Sequence, residues 1–202
     1  MNLLNRIEAT ALLDWAHAQN PGPWRAHSLH VARAAGAIAE KCGMDGERAW
    51  VLGALHDVGR YEGVRGLHHA VAGYALLMEK GDPGAARVCV THSFPDGRLE
   101  HFNGRRDVSP EEEAFLRRFL AETIPDDFDR LIQLCDAICT AQGVCLMEKR
   151  LVDVALRHGL EPGLDEKWRA FLNLRRDFER RMGASVYSLF DECAAVTFAA
   201  EG

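Results

Sequence analysis

Two apolar segments carry polar side chains whose types suit cation binding. Asp136 lies within residues 131–139, which are apolar on nearly every side of a helix, and the pair His56-Asp57 lies in the apolar residues 49–59. Burying a carboxylate costs free energy unless it is protonated, paired with a cation or bound to a metal. For Asp136 alone, an ion pair with an arginine is the simpler interpretation. The adjacent His56 and Asp57 need a shared partner, and the negative end of a helix favours a cation there.

Further imidazoles lie in other apolar segments, so several helices each carry one possible ligand. His92 ends the apolar residues 87–92, and His27 lies between Ala26 and Leu29. A single buried histidine is usually a core residue with a local hydrogen bond, but a compact helical domain could bring these side chains together. Imidazole and carboxylate without thiolate suit Fe, Mn, Zn, Co or Ni. The pattern indicates a divalent metal site without choosing the ion.

The elements that would position these residues are helices. Apolar positions recur at helical spacing almost throughout, and no alternating run bounded by turn residues indicates a strand. We therefore expect an all-α, compact single domain over residues 1–202. The expected helices cover about 3–19, 26–42, 45–58, 67–79, 83–93, 111–122, 127–142, 145–158 and 165–182, with a final segment over 185–198.

Local signals predict several helix ends. Asp45 and Asp82 are expected N-caps, Ser109 begins a capping box, and Gly59 is expected to end the third helix in a left-handed conformation. Residues 94–108 are rich in Gly, Pro, Asp, Asn and Arg, which predicts a loop that could act as a lid or touch a substrate.

The composition excludes some classes of partner. The net charge is -6, and no tract of Lys and Arg exceeds two residues, so a nucleic acid polymer is not an expected partner. No apolar run is long enough to span a bilayer, and Glu8 and Asp14 interrupt the N-terminal segment, so we expect a cytoplasmic protein without membrane contact. The 6 cysteines form no C-x-x-C pair and are expected to be core residues in a reducing compartment.

The order of the polar residues resembles the H…HD…D signature of the HD superfamily of metal-dependent phosphohydrolases, with His27, His56-Asp57 and Asp136 in the matching positions. Residues 27–32 (HSLHVA) resemble the family's first-histidine helix, and residues 55–60 (LHDVGR) resemble its HDIG-type motif with valine in place of isoleucine. Branches with extra histidines have an H-x-x-x-G helix, a further histidine and a terminal aspartate, which residues 69–73, 90–92 and 133–136 resemble. The resemblance covers about residues 25–141 and implies that helices over 144–198 pack on this part.

The resemblance also implies the metal ligands. A first ion would be held by His27, His56, Asp57 and Asp136, and a second by His69 and His92, which would bind phosphate if only one ion is present. His68 could replace His69, but His69 lies four residues before Gly73, as the family pattern has it. Among the other histidines, His30 is expected to pack near the pocket, and surface or loop positions are expected for His17, His101 and His158.

These ligands imply hydrolysis of a phosphate ester or anhydride, because a bound divalent ion activates water and polarises phosphorus. We expect Asp57 to orient the water or to accept its proton as a general base. Arg60 could donate to phosphate oxygens or be a solvated residue at a helix end. Lys149 and Arg150 could add phosphate contacts, although surface salt bridges are the simpler interpretation.

The set of histidines resembles the dinucleoside polyphosphate hydrolase and cyclic dinucleotide phosphodiesterase branches. The second branch has an additional Gly-Tyr-Pro element that this sequence lacks, so a soluble nucleotide or dinucleotide is the expected small phosphorylated substrate, with phosphate monoesters as an alternative. Two other classes remain open: a di-iron oxygenase of the HD fold, and a non-catalytic helical module held together by ion pairs. Aromatic stripes in the C-terminal helices could also form a homodimer contact.

Overall fold

The helices of the chain begin and end close to the positions that the sequence predicts. The computed structural model describes residues 3–199, and the expected all-α fold is confirmed. In this part of the chain the α-helices are α1 (Arg6–Gln19), α2 (Trp24–Lys41), α3 (Gly46–Leu55), α4 (His68–Glu79), α5 (Pro83–Thr91), α6 (Pro110–Glu122), α7 (Asp127–Ile138), α8 (Met147–His158), α9 (Leu164–Met182) and α10 (Cys193–Thr197).

Side chains before the helices satisfy backbone N–H groups that have no partner within the helix. Asp45 accepts from the Arg48 N–H, and Asp82 accepts from the Ala85 N–H. Ser109 forms the expected capping box at the start of α6, in which its hydroxyl accepts a backbone N–H of the first turn. The three predicted N-caps are therefore confirmed.

The helix that carries Asp136 is shorter than expected. It was expected to continue to residue 142, but α7 ends at Ile138 because Cys139 takes an extended conformation. The Thr140 N–H donates to the carbonyl of Gly143, whose φ is +143°, and Cys139 forms an isolated antiparallel bridge with Val144. This tight turn reverses the chain and leads it into α8.

The expectation that Gly59 ends the third helix in a left-handed conformation is wrong. The helix ends earlier, at Leu55, and Gly59 lies in a 3-10 turn (Val58–Glu62) without a positive φ. A Cβ added at Gly59 would lie 2.0 Å from the carbonyl oxygen of His69 and 2.4 Å from the amide nitrogen of Gly73. The glycine is needed because the turn after Asp57 lies directly against the backbone of α4.

The apolar interior has two clusters. The main cluster takes side chains from α1, α2, α3, α5 and α7 and from the C-terminal helices, and α9 packs against α2 and α7. The second cluster lies under residues 94–108 and α6 and consists of Leu67, Val90, Phe94, Leu99, Phe102, Leu116 and Leu120. The loop is thus anchored by three apolar side chains and contains a short 3-10 turn (Leu99–His101). The single-domain organisation stays a prediction.

Two other observations concern the whole described part of the chain. All 6 cysteines are free thiols, and all except the half-buried Cys42 are buried, as expected for core residues. Among residues 3–199, the helices are too short or too polar for any of them to cross a membrane.

Candidate metal centre

The histidines and aspartates that the sequence singles out lie together where five helices meet. His27 lies on the first turn of α2, and His56 and Asp57 follow the end of α3. The other three positions are His69 near the start of α4, His92 directly after α5 and Asp136 near the end of α7.

One side of this group contains His27, His56 and Asp136. The Nε2 atom of His27 lies 2.9 Å from Oδ1 of Asp136, and the Nε2 atom of His56 lies 3.9 Å from the same oxygen. The Nε2 atom of His56 also lies 3.8 Å from Oδ2 of Asp57. Asp136 is therefore not an isolated carboxylate with a local arginine partner, because two imidazoles from other helices converge on it.

The other side contains His69 and His92. Their Nε2 atoms lie 3.4 Å apart, and they lie 3.2 Å and 3.7 Å, respectively, from Oδ1 of Asp57. Asp57 thus belongs to two groups whose ligand atoms all lie within 4.8 Å of one another: one with His27 and His56, and one with His69 and His92. Its two carboxylate oxygens could serve two ions.

The imidazole rings are oriented by hydrogen bonds on the side away from the carboxylates. Nδ1 of His56 donates to the Gly53 carbonyl over 2.7 Å, and Nδ1 of His92 donates to the Cys89 carbonyl over 3.0 Å. Nδ1 of His69 likewise donates to the carbonyl of Gly66. With the proton on Nδ1, Nε2 presents its lone pair to the centre of the group, which is how a metal-binding histidine is usually held.

Burial and neighbouring charges set the protonation states. Burial, together with the Arg60 charge, lowers the pKa of His69 to about 3, and burial, together with His56, lowers the pKa of His92 to about 4. Burial alone would raise the pKa of Asp57, but the Arg60 guanidinium and the surrounding imidazoles hold it well below its usual range. At neutral pH the group therefore combines neutral imidazoles with ionised carboxylates, which are the states that bind a metal.

Two buried atoms of the group lack any hydrogen-bond partner among the residues that the structure describes. They are Nε2 of His56 and Oδ1 of Asp57. A buried polar atom without a partner costs on the order of 1–3 kcal/mol, so such atoms are rare in folded proteins. A divalent ion would satisfy both atoms, and the nitrogen and oxygen donors present suit Fe, Mn, Zn, Co or Ni. The residues fit a metal centre.

Close contacts between backbones bring the ligand-bearing helices together. A Cβ at Gly53 would lie 2.7 Å from Cα of Ala32, so α3 approaches α2 more closely than any other residue would allow. This contact lies between His27 and His56, and the contact of Gly59 with α4 lies beside His69. The sequence therefore places glycine next to three of the possible ligands.

Arg60 lies beside the centre. Its Nε donates to Oδ2 of Asp57 over 2.6 Å, and its backbone carbonyl accepts from the Asn20 side chain over 2.7 Å. The side chain is 31% exposed and lines the adjoining cleft. This position leaves the terminal amino groups of the guanidinium able to reach a ligand in the cleft.

The remaining histidines lie apart from the centre. His68 faces away from it, with Nε2 2.8 Å from Glu62 and Nδ1 3.1 Å from Glu112, which leaves His69 as the inward residue of the pair. His30 is half-buried and does not line the cleft. His101 was expected at the surface or in a loop, but it is buried, and its Nδ1 donates to Asp96 over 2.6 Å.

A cleft of about 1040 Å³ opens from the centre. Basic side chains outnumber carboxylates along it although the chain as a whole is acidic: Arg60, Arg65, Arg105, Arg150, Arg157 and Lys167, against Asp57, Asp136 and Asp153. Aromatic side chains from three parts of the chain also line it, namely Trp24, Phe102, Trp168 and Phe171. The cleft therefore suits an anion that carries a flat apolar group.

The C-terminal helices contribute to the cleft in ways that the sequence predicts only in part. Arg150 lines the cleft and donates to the Cys139 carbonyl over 3.0 Å, whereas Lys149 pairs with Asp153 over 3.1 Å. Lys167 of α9 was not singled out, yet it is buried and lines the cleft. A signal was present, because Lys167 interrupts an apolar stripe formed by Leu164 and Phe171 at helical spacing.

Comparison with known proteins agrees with this geometry. The family model of the HD domain matches residues 24–141, which is more than half of the chain. The chain belongs to the HD domain family. All six possible ligands of this HD domain lie within the matched residues. No curated protein is significantly similar to the chain in sequence.

A solved structure shows the same fold. It is the HD domain of the phosphodiesterase PgpH from L. monocytogenes, which aligns with a TM-score of 0.52 at 17% sequence identity, over 88% of this chain and 96% of that one. At this identity the likeness concerns the fold alone. Membership of the HD domain family and the two groups of histidine and aspartate support a metal-dependent phosphohydrolase in general terms.

Proposed function

We propose that the protein is a phosphohydrolase with two divalent metal ions that hydrolyses an ester or anhydride bond of a nucleotide or dinucleotide. The observation that carries this proposal is the sharing of Asp57 between two groups of ligands at the end of a basic cleft. Two ions at one shared carboxylate are a common arrangement in enzymes that act on phosphates. The name of the PgpH neighbour, a phosphodiesterase, agrees with hydrolysis of a phosphate ester.

Each side chain then has a defined task. Bound divalent ions would polarise a phosphoryl oxygen and lower the pKa of a water ligand. Asp57 accepts a hydrogen bond from the attacking water and orients it; because the Arg60 charge holds its pKa low, orientation suits Asp57 better than accepting a proton. Arg60, whose Nε is held by Asp57, donates from its terminal amino groups to phosphate oxygens as negative charge develops there.

The cleft supports a nucleotide over a smaller phosphate. Its volume of about 1040 Å³ is at the upper end of the range for sites that hold ligands of drug size. Trp24, Phe102 and Trp168 offer aromatic faces on which a base could stack. Basic side chains between the centre and these rings can hold the phosphates that connect them.

Two other functions compete with this proposal. A non-catalytic module would pair its buried polar groups locally, whereas Nε2 of His56 and Oδ1 of Asp57 lack a partner among the described residues. A di-iron oxygenase would use the same ligands, but the excess of basic side chains along the cleft favours a phosphorylated substrate.

The test is removal and return of the metal. Chelator-treated protein should release no product from a generic phosphodiester or a dinucleoside polyphosphate, and Mn, Fe, Co, Ni or Zn should restore hydrolysis. Full activity in a preparation shown to be metal-free by elemental analysis would contradict the proposal. Oxygen consumption without phosphate release would identify an oxygenase. Trace metal, with unchanged folding of His56→Ala, would identify a non-catalytic module.

A further inference from the structure

Lys167 is a buried cation on the wall of the cleft. It lies on the first turn of α9 and is 8% exposed, and its ammonium group is 6.0 Å from the centres of the Phe94 and Phe171 rings. Nζ donates to the His101 carbonyl over 3.1 Å. Within residues 3–199, no carboxylate forms an ion pair with it.

This environment leaves the ammonium group incompletely satisfied. A protonated lysine has three N–H donors, and the His101 carbonyl accepts one of them. Asp96, the nearest loop carboxylate with an electrostatic effect on Lys167, is engaged by Nδ1 of His101. Burial lowers the pKa of Lys167 to about 8, so the group is still charged at neutral pH. A buried charge without an ionic partner is costly, which calls for an anion in the cleft.

We propose that Lys167 binds a phosphate oxygen of the substrate, at a place in the cleft separate from the six ligands of the metal centre. Lys167 forms no hydrogen bond or ion pair with any of those six residues, although it lies near enough to Asp136 to feel its charge. The inference rests on the proposed function in that both concern one cleft. It adds that the substrate presents negative charge to α9 as well as to the ions.

A purely structural role is the competing explanation. Through the His101 carbonyl, Lys167 connects α9 to the loop over 94–108, and the Arg98–Glu166 ion pair connects the same two elements over 2.5 Å. If Lys167 only holds the loop, its removal should lower the thermal stability and leave the affinity for anions unchanged. If it binds phosphate, removal of an unpaired buried charge should leave the melting temperature unchanged or raise it.

The experiment measures binding of inorganic pyrophosphate to the metal-loaded protein by calorimetry. Lys167→Met keeps the length of the side chain and removes the charge, and we expect about tenfold weaker binding, the effect of one charge-assisted hydrogen bond. Lys167→Arg should restore most of the affinity. Lys80→Met, which removes an exposed lysine at the end of α4, is the matched control and should bind as the wild type does. Wild-type affinity in Lys167→Met would overturn the inference.

A measurement on the wild type avoids any effect of substitution on folding. Pyrophosphate should protect Lys167 from a small acylating reagent, as read by peptide mass spectrometry, and should leave the acylation of Lys80 unchanged. Equal acylation of Lys167 with and without pyrophosphate would also overturn the inference.

Failure of this inference differs from failure of the proposed function. An active phosphohydrolase whose KM is unchanged in Lys167→Met would refute the role of Lys167 alone. Binding of pyrophosphate through Lys167 in a protein that hydrolyses no phosphate ester or anhydride would refute the proposed function alone.

Discussion

The two neighbouring histidines at the start of α4 have opposite environments. His69 is buried against Asp57, and its pKa is lowered to about 3, whereas His68 lies between Glu62 and Glu112. Burial would lower the pKa of His68, but the hydrogen bond with Glu62 and the two carboxylate charges raise it. One residue along the helix therefore separates a neutral ligand from a cation that forms surface ion pairs.

This contrast supplies a matched pair of variants. His69→Ala should lose about one equivalent of metal, because it removes one of three ligands in its group, while His68→Ala should keep the full content. Asp57→Asn should lose both equivalents, since Asp57 is common to both groups. Elemental analysis of the purified variants measures this, with circular dichroism as the control for folding. Equal metal loss in His68→Ala and His69→Ala would contradict the assignment.

Among the elements, α4 depends on a carboxylate from another part of the chain. Asp107, at the end of the loop over 94–108, accepts the Gly66 N–H over 2.9 Å and the His68 N–H over 3.1 Å. Burial alone would raise the pKa of Asp107, but these backbone donors lower it to about 2. The ionised side chain thus holds the start of the helix that carries His69.

The lowered pKa predicts a dependence of stability on pH. Because the folded state favours ionised Asp107, its contribution is complete above about pH 4 and is lost as the pH falls towards 2. Asp107→Asn should reduce the free energy of unfolding by about 1–2 kcal/mol at pH 7, after allowance for screening by solvent. Urea denaturation should show the gap between variant and wild type narrowing below pH 4. Asp191→Asn, an exposed control, should show no gap, and a constant gap for Asp107→Asn would refute this role.

The accuracy of the sequence-based predictions depends on the range of the interactions. The capping box of Ser109 was predictable because its partners lie within the next turn. The conformation of Gly59 was not, because its cause is the backbone of α4 at His69 and Gly73. The burial of Lys167 depends likewise on a loop more than sixty residues earlier in the chain, whose His101 carbonyl accepts its proton. Motif order predicted which side chains could meet, and only the folded chain shows their distances.

The distribution of charge is uneven over the molecule as a whole. The chain carries a net charge of -6, yet basic side chains predominate along the cleft. An anionic substrate is therefore repelled by most of the surface and attracted by one part of it. Such guidance acts over the Debye length, which is about 10 Å at 0.1 M salt.

This distribution predicts that salt weakens the use of substrate. KM for a nucleotide should rise several-fold between about 20 mM and 300 mM salt, while kcat changes little, because screening acts on approach and binding. Arg65→Gln, which removes an exposed cation of the cleft, should flatten the dependence. Arg169→Gln, which removes an exposed cation of α9 outside the cleft, should retain it. Steady-state kinetics measures both, and a KM independent of salt would refute the prediction.

The division of the apolar interior into two clusters bears on how a product would leave. Most of the metal centre rests on the larger cluster, while the wall over 94–108 and α6 rests on the smaller one. Fewer apolar contacts mean a lower free energy for local opening, so this wall can swing outward while the larger cluster stays intact. Departure of a spent ligand therefore need not loosen the ions, and each round of turnover can begin with the centre already assembled.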